Sequence, residues 1–119
     1  MKRGPTTILI VDDNPSIRWI LSECLGGAGY TVIEAGNGNA ALEVLNRNPI
    51  DLVVSDIDMP DGNGFYLLSE IKKRLKKMPP FFFLSGNTEV TQDQIAALGA
   101  QGLLRKPFQS DELLHLIHR

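Results

Sequence analysis

Cysteine is almost absent from this 119-residue chain: Cys24 stands alone, which excludes an internal disulfide and fits a reducing compartment. Long apolar runs are missing too. The N-terminal MKRGPTT leads into only four consecutive apolar residues, Ile8 to Val11, too few for a signal-peptide core or a membrane span, so a cytoplasmic location and no membrane contact are expected. Nor is there an excess of one charge. Twelve Lys and Arg face fourteen Asp and Glu, spread along the chain, and nothing resembles the basic footprint of a nucleic-acid binder. The densest basic stretch, Lys72, Lys73, Arg74, Lys76 and Lys77, reads as a solvated helix face. The only histidines, His115 and His118, stand near the chain end, where a cation suits a helix C-terminus. No repeat, linker, low-complexity segment or helix-turn-helix interrupts the chain. What remains is 43% apolar, enough for one core without disulfides or a structural metal, so residues 1–119 are expected to form one domain.

Short β-rich apolar runs alternate with longer segments of helical period, the pattern of βαβ units and a parallel sheet. Strands are predicted at Ile8–Val11, Tyr30–Glu34, Asp51–Ser55, Phe81–Leu84 and near Gly102–Arg105. Their continuous apolar character fits strands covered on both faces by helices. Asn14 is placed to cap a helix with Pro15 at its first position, closing at Gly26-Gly27. In that helix Cys24 joins Ile17, Ile20, Leu21 and Leu25 as predicted core packing. Further helices run through Ala40 to Leu45 and Phe65 to Ile71, more weakly around Ile95 and Leu98, and from about Ser110 through Ile117. Ser110 is followed three residues later by Leu113, so a capping box is not predicted there. Open α/β sheets bind ligands at the carboxyl ends of their strands, at a topological switch point.

Those strand ends carry Asp12 and Asp13, Asp56, Ser85 and Lys106. If the first strand lies between the third and the others, three carboxylates crowd together, which is costly unless a cation neutralises them. The absence of nearby histidine and cysteine argues against zinc, whereas Mg²⁺ favours oxygen ligands, with Mn²⁺ as an acceptable substitute. A carboxylate beside such a cation can attack phosphorus and form an aspartyl phosphate. A lysine and a hydroxyl would then neutralise and orient the phosphoryl oxygens. Each residue has an ordinary reading when taken alone. Asp12-Asp13 can start a helix, Asp56 can begin a Pro/Gly-rich turn, and Ser85 and Lys106 can open loops. Their conjunction at four strand ends is what favours one phosphoryl site.

In order and spacing, ILIVDDN, DLVVSDIDMPDGNG, FFFLSG and LLRKPF resemble the receiver domains of two-component response regulators, the CheY-like superfamily. The resemblance implies a flavodoxin-like (βα)5 sandwich with strand order 2-1-3-4-5, either as a stand-alone regulator or as a module of a longer protein. It implies Asp56 as phosphoacceptor and Asp13 and Asp56 as Mg²⁺ ligands with the backbone carbonyl of Asp58, Asp12 acting through water. Ser85 and Lys106 match the hydroxyl and lysine that hold the phosphoryl group. The implied donor is a phosphohistidine on a sensor kinase or histidine phosphotransfer protein. The implied output surface is the fourth helix, fifth strand and fifth helix, including Gln92, Gln94, Gln101 and Glu112.

Three features depart from or refine that pattern. Leu103 stands where many receivers carry the Tyr or Phe of an aromatic switch, which leaves coupling to the last helices either weakened or carried by the loop from Ser85 to Thr88. Asp58 and Asn87, each two positions past a site residue, are candidate modulators of aspartyl-phosphate lifetime. The chain also stops soon after the last helix. Two other functions compete. Asp56-Ile57-Asp58 resembles the acid pair of a haloacid dehalogenase-type phosphatase, although that family's nucleophile ends its first core strand. A receiver-like adaptor indifferent to phosphorylation is the other, favoured by Leu103 and opposed by the retained acids.

Overall fold

The computed structural model describes residues 6–60, 62–86 and 89–118. Five strands, β1 (Thr7–Val11), β2 (Thr31–Ala35), β3 (Leu52–Asp56), β4 (Phe81–Ser85) and β5 (Gly102–Arg105), alternate with five helices. The helices are α1 (Pro15–Gly27), α2 (Gly38–Arg47), α3 (Gly64–Arg74), α4 (Gln92–Ala97) and α5 (Ser110–His118). All pairings are parallel and the order is β2-β1-β3-β4-β5, the flavodoxin-like arrangement implied by the sequence.

Each continuous apolar run divides between two cores because successive side chains on a strand point to opposite faces. Leu9, Val11, Val53, Phe81 and Phe83 pack on one face with Leu67, Leu68, Ile71 and Ile95. Ile8, Ile10, Val54, Phe82 and Leu84 pack on the other with Leu21, Leu25 and Leu113. The three adjacent phenylalanines are thereby covered on both sides, and Phe83 meets Phe81 and Phe65 edge-on at centroid separations of 4.9 and 5.3 Å.

Caps set the helix starts. Asn14 accepts from the backbone of Ser16 and Ile17, with Pro15 at the first helical position as predicted. Asn37 and Asn63 cap α2 and α3, and α4 begins with a reciprocal box between Thr91 and Gln94. The last helix is capped from one residue earlier than predicted: Glu112 reaches back to the backbone N–H of Gln109 at 2.7 Å, supplying the acid that Leu113 cannot. Strand limits also shift by a residue. Asp56 and Ser85 are the last residues of β3 and β4 rather than the first beyond them, and β2 begins at Thr31. In α1, Leu21 and Leu25 are buried as predicted, but Cys24 is only half-buried and Ile20 is 45% exposed beside a 64% exposed Trp19. Cys24 packs at the margin of the second core, its Sγ 3.8 Å from the Ser110 carbonyl of α5, while Ile20 borders the segment of Pro107 and Phe108. No described helix is long and apolar enough to cross a membrane.

Candidate functional site

The sheet order puts β1 beside β3, with Val11 in register with Ser55, so the residues just beyond β1 stand next to the end of β3. Asp12, Asp13 and Asp56 each offer a carboxylate oxygen within 4.8 Å of the others. Asp12 is fully buried, Asp56 is 6% exposed, and Asp13 faces solvent. The next two strand ends are drawn into the same rim by backbone bonds. Ile57 donates to the carbonyl of Leu84 at 3.1 Å, and Lys106 to that of Ser85 at 2.8 Å. Ser85 itself is buried and Lys106 is half-buried, with a cis peptide to Pro107.

Lys106 Nζ reaches two of the acids, Asp12 Oδ2 at 3.1 Å and Asp56 Oδ1 at 3.3 Å. Burial alone would lower its pKa, but its hydrogen bond and charge attraction to Asp12, then to Asp56, outweigh this and raise it. The Asp56 carboxyl is also pushed up, first by burial and then by the Asp12 charge; Lys106 opposes the shift without cancelling it. Three acids against one lysine leave two negative charges in excess. An all-oxygen donor set with that deficit fits a hard divalent cation such as Mg²⁺ and gives zinc none of the nitrogen or sulfur ligands it prefers.

The predicted residues do not all converge. Asp58 is exposed and its carboxylate stands outside the three-acid group. Asn87 lies outside the described residues. Leu103 is buried on the Phe83 side of the sheet, in register with Phe83, so the aliphatic side chain fills the core. Each residue named for the output surface is also engaged inside the molecule: Gln94 and Glu112 serve caps, and Gln101 accepts from the Phe81 N–H at 2.9 Å. Gln92 reaches the Leu103 carbonyl at 3.5 Å. Sequence reasoning passed over Arg18, which donates to the Asp12 carbonyl, and an apolar groove formed by Ile17, Ile20, Pro107 and Phe108 next to Lys106. Nothing local in the sequence signals that α1 and the segment after β5 meet.

The family model of the response regulator receiver domain matches residues 8–118. The chain belongs to that family. This receiver is 37% identical over 119 residues to the DNA-binding transcriptional regulator NtrC of Salmonella typhimurium, covering all of this chain and 25% of that protein. It thus spans about a quarter of the length of the curated relatives it matches. The chemotaxis response regulator CheY4 of Vibrio cholerae shares its fold at a TM-score of 0.88 and 32% identity, over 98% of both chains. The response regulator TrrA of Thermotoga maritima, solved with Mg²⁺ and BeF, superposes at a TM-score of 0.84 and 34% identity, over 95% of this chain and 96% of that one. The cluster of Asp12, Asp13 and Asp56 matches the Mg²⁺ site of receivers, and the domain is a phosphoacceptor signalling module. Family membership implies a histidine kinase or phosphotransfer partner.

Proposed function

We propose that Asp56 accepts the phosphoryl group of a partner's phosphohistidine, and that residues 1–119 act as one receiver unit, alone or within a longer regulator. The observation that carries this reading is Asp56 at the end of β3, buried beside Asp12 and bridged by Lys106. An Asp56 carboxylate oxygen forms the bond to phosphorus as the phosphorus–nitrogen bond breaks, and the departing imidazole takes up a proton. Asp13, Asp56 and the Asp58 carbonyl would hold Mg²⁺, with Asp12 acting through water. Bound there, the cation neutralises charge developing on the phosphoryl oxygens. Lys106 shifts from pairing the acids to pairing the phosphoryl group, and the Ser85 hydroxyl donates to another of its oxygens.

The donor docks on the apolar shelf of Ile17, Ile20, Pro107 and Phe108. This groove of about 360 Å³ is continuous with the acceptor site because Lys106 lines both. Output passes through the face of α4, β5 and α5, where Arg105 donates to the Val90 carbonyl and couples β5 to the segment before α4. That contact gives the β4–α4 segment a route to the output face while Leu103 fills the position of an aromatic switch. Asp58, with Asn87, tunes how long the acyl phosphate survives.

Incubation with Mg²⁺ and acetyl phosphate tests these roles by intact mass. The native protein gains one phosphoryl group. Asp56→Asn gains none, and Lys106→Ala and Ser85→Ala slow the gain by at least about tenfold. Decay of the phosphorylated form changes more than about twofold in Asp58→Asn. Undiminished labelling of Asp56→Asn would overturn the acceptor assignment, and steady release of phosphate from esters would favour the phosphatase reading. An unmodified native protein would favour the adaptor.

A further inference from the structure

The turn between β1 and α1 carries two of the three acids, and it is held from outside the pocket. Arg18, one turn into α1, donates from Nη1 to the backbone carbonyl of Asp12 at 2.6 Å and from Nε to Glu34 Oε1 on β2 at 3.2 Å. Ser22, one turn further along the same helix face, donates to the other carboxylate oxygen of Glu34 at 2.8 Å. The Asp12 N–H is tied to β2 as well, through the Ala35 carbonyl at 3.2 Å. Both sides of Asp12 are therefore anchored to the edge strand, one directly and one through Arg18. Its carboxylate is equally constrained, with Oδ1 accepting from the Asn14 N–H at 2.9 Å and Oδ2 from Lys106. Asp13 differs: its exposed carboxylate makes no hydrogen bond among the described residues, so the backbone of the turn is what limits where it can reach.

We propose that Arg18, braced by Glu34 and Ser22, is a positioning residue for the metal pocket: it fixes the Asp12 peptide and thereby aims Asp13. This rests on the reading of Asp13 and Asp56 as Mg²⁺ ligands. Two effects of Arg18 on cation binding have opposite signs. As a positive charge near the acids it repels Mg²⁺, so removing it would tighten binding; as an anchor it preorganises the ligands, so removing it weakens binding. The anchor dominates because Glu34 pairs with the guanidinium and offsets its charge as felt from the pocket, whereas the 2.6 Å bond to Asp12 acts at contact range.

Isothermal titration of Mg²⁺ into the native protein, Arg18→Gln, Glu34→Gln and Asp13→Ala, with metal-free melting curves for each, decides the question. Arg18→Gln loses about tenfold in Mg²⁺ affinity, as removal of residues that orient metal ligands commonly does. Glu34→Gln loses less, in the same direction, and Asp13→Ala loses nearly all binding. Affinity in Arg18→Gln that is unchanged or higher, while Asp13→Ala fails to bind, overturns the proposal and leaves the ligand assignment standing. If the native protein does not bind Mg²⁺, or Asp13→Ala binds as well as native, the ligand assignment falls and this proposal with it. Should Arg18→Gln fail to fold, Glu34→Gln decides: a lower melting temperature with native Mg²⁺ affinity would mean that the network only braces the fold.

Discussion

Asp56 ionises against its surroundings, since burial and the neighbouring Asp12 charge both favour the neutral acid. A carboxyl whose pKa is raised on folding contributes stability below its unfolded value, and that contribution is lost as pH rises through the folded value. Asp56→Asn, a neutral residue of the same shape, should therefore melt higher than the native protein at neutral pH without metal. The two should converge as pH falls below the ordinary carboxylate range, and thermal melts across that range check the sign. A native protein more stable than Asp56→Asn at neutral pH would show that Lys106 outweighs both opposing effects. At this scale the sequence was most legible where position relative to a strand end decides where a residue lies, as it does for Asp12, Asp13, Asp56, Ser85 and Lys106 on one rim. Arg18 was not legible, because its partners on β2 and at the end of β1 become neighbours only once α1 packs against the sheet. The exposure of Ile20 was hidden for a related reason. Helical period identifies an apolar stripe but not how far the neighbouring layer extends over it.

The elements that present the acids depend on close backbone approaches. Gly64 opens α3, and a Cβ there would lie 2.5 Å from the Asp56 carbonyl oxygen and 2.9 Å from Phe83 Cε1. Its own N–H donates to the Ile57 carbonyl at 2.9 Å, closing the turn after the acceptor strand. Gly64→Ala must push α3 away from β3, an overpacking cost of roughly 1–3 kcal/mol. Urea unfolding checks this. A loss of that size, with lower Mg²⁺ affinity, is expected; a neutral effect would mean that the turn yields freely. The existence and order of the elements could be read from apolar runs, Pro and Gly, because these signals are local. Their limits were less legible. Glu112 caps the backbone of Gln109, and choosing between Gln109 and Ser110 as the start of α5 depends on how the chain leaves Pro107 and Phe108.

Across the whole molecule, one sheet serves two purposes: its faces bury two apolar layers, and its carboxyl edge gathers residues far apart in sequence. Lys106 meets Asp12 across 94 positions because β1 lies next to β3 while β4 and β5 extend the same side of the sheet. Periodicity gave the α/β class, whereas the strand order came from resemblance, since no local signal says which parallel strands are neighbours. The path from site to output face was the least legible part. The route proposed for it combines a buried Leu103 with a contact from Arg105 to the Val90 carbonyl, and both depend on how α4 packs against β5. The central claim is that phosphoryl transfer ends on one carboxylate of this rim. Borohydride reduction of the phosphorylated protein, followed by peptide mass mapping, reads that carboxylate directly. The predicted result is a single homoserine at position 56, and reduction at Asp12, Asp13 or Asp58 with Asp56 intact would contradict it.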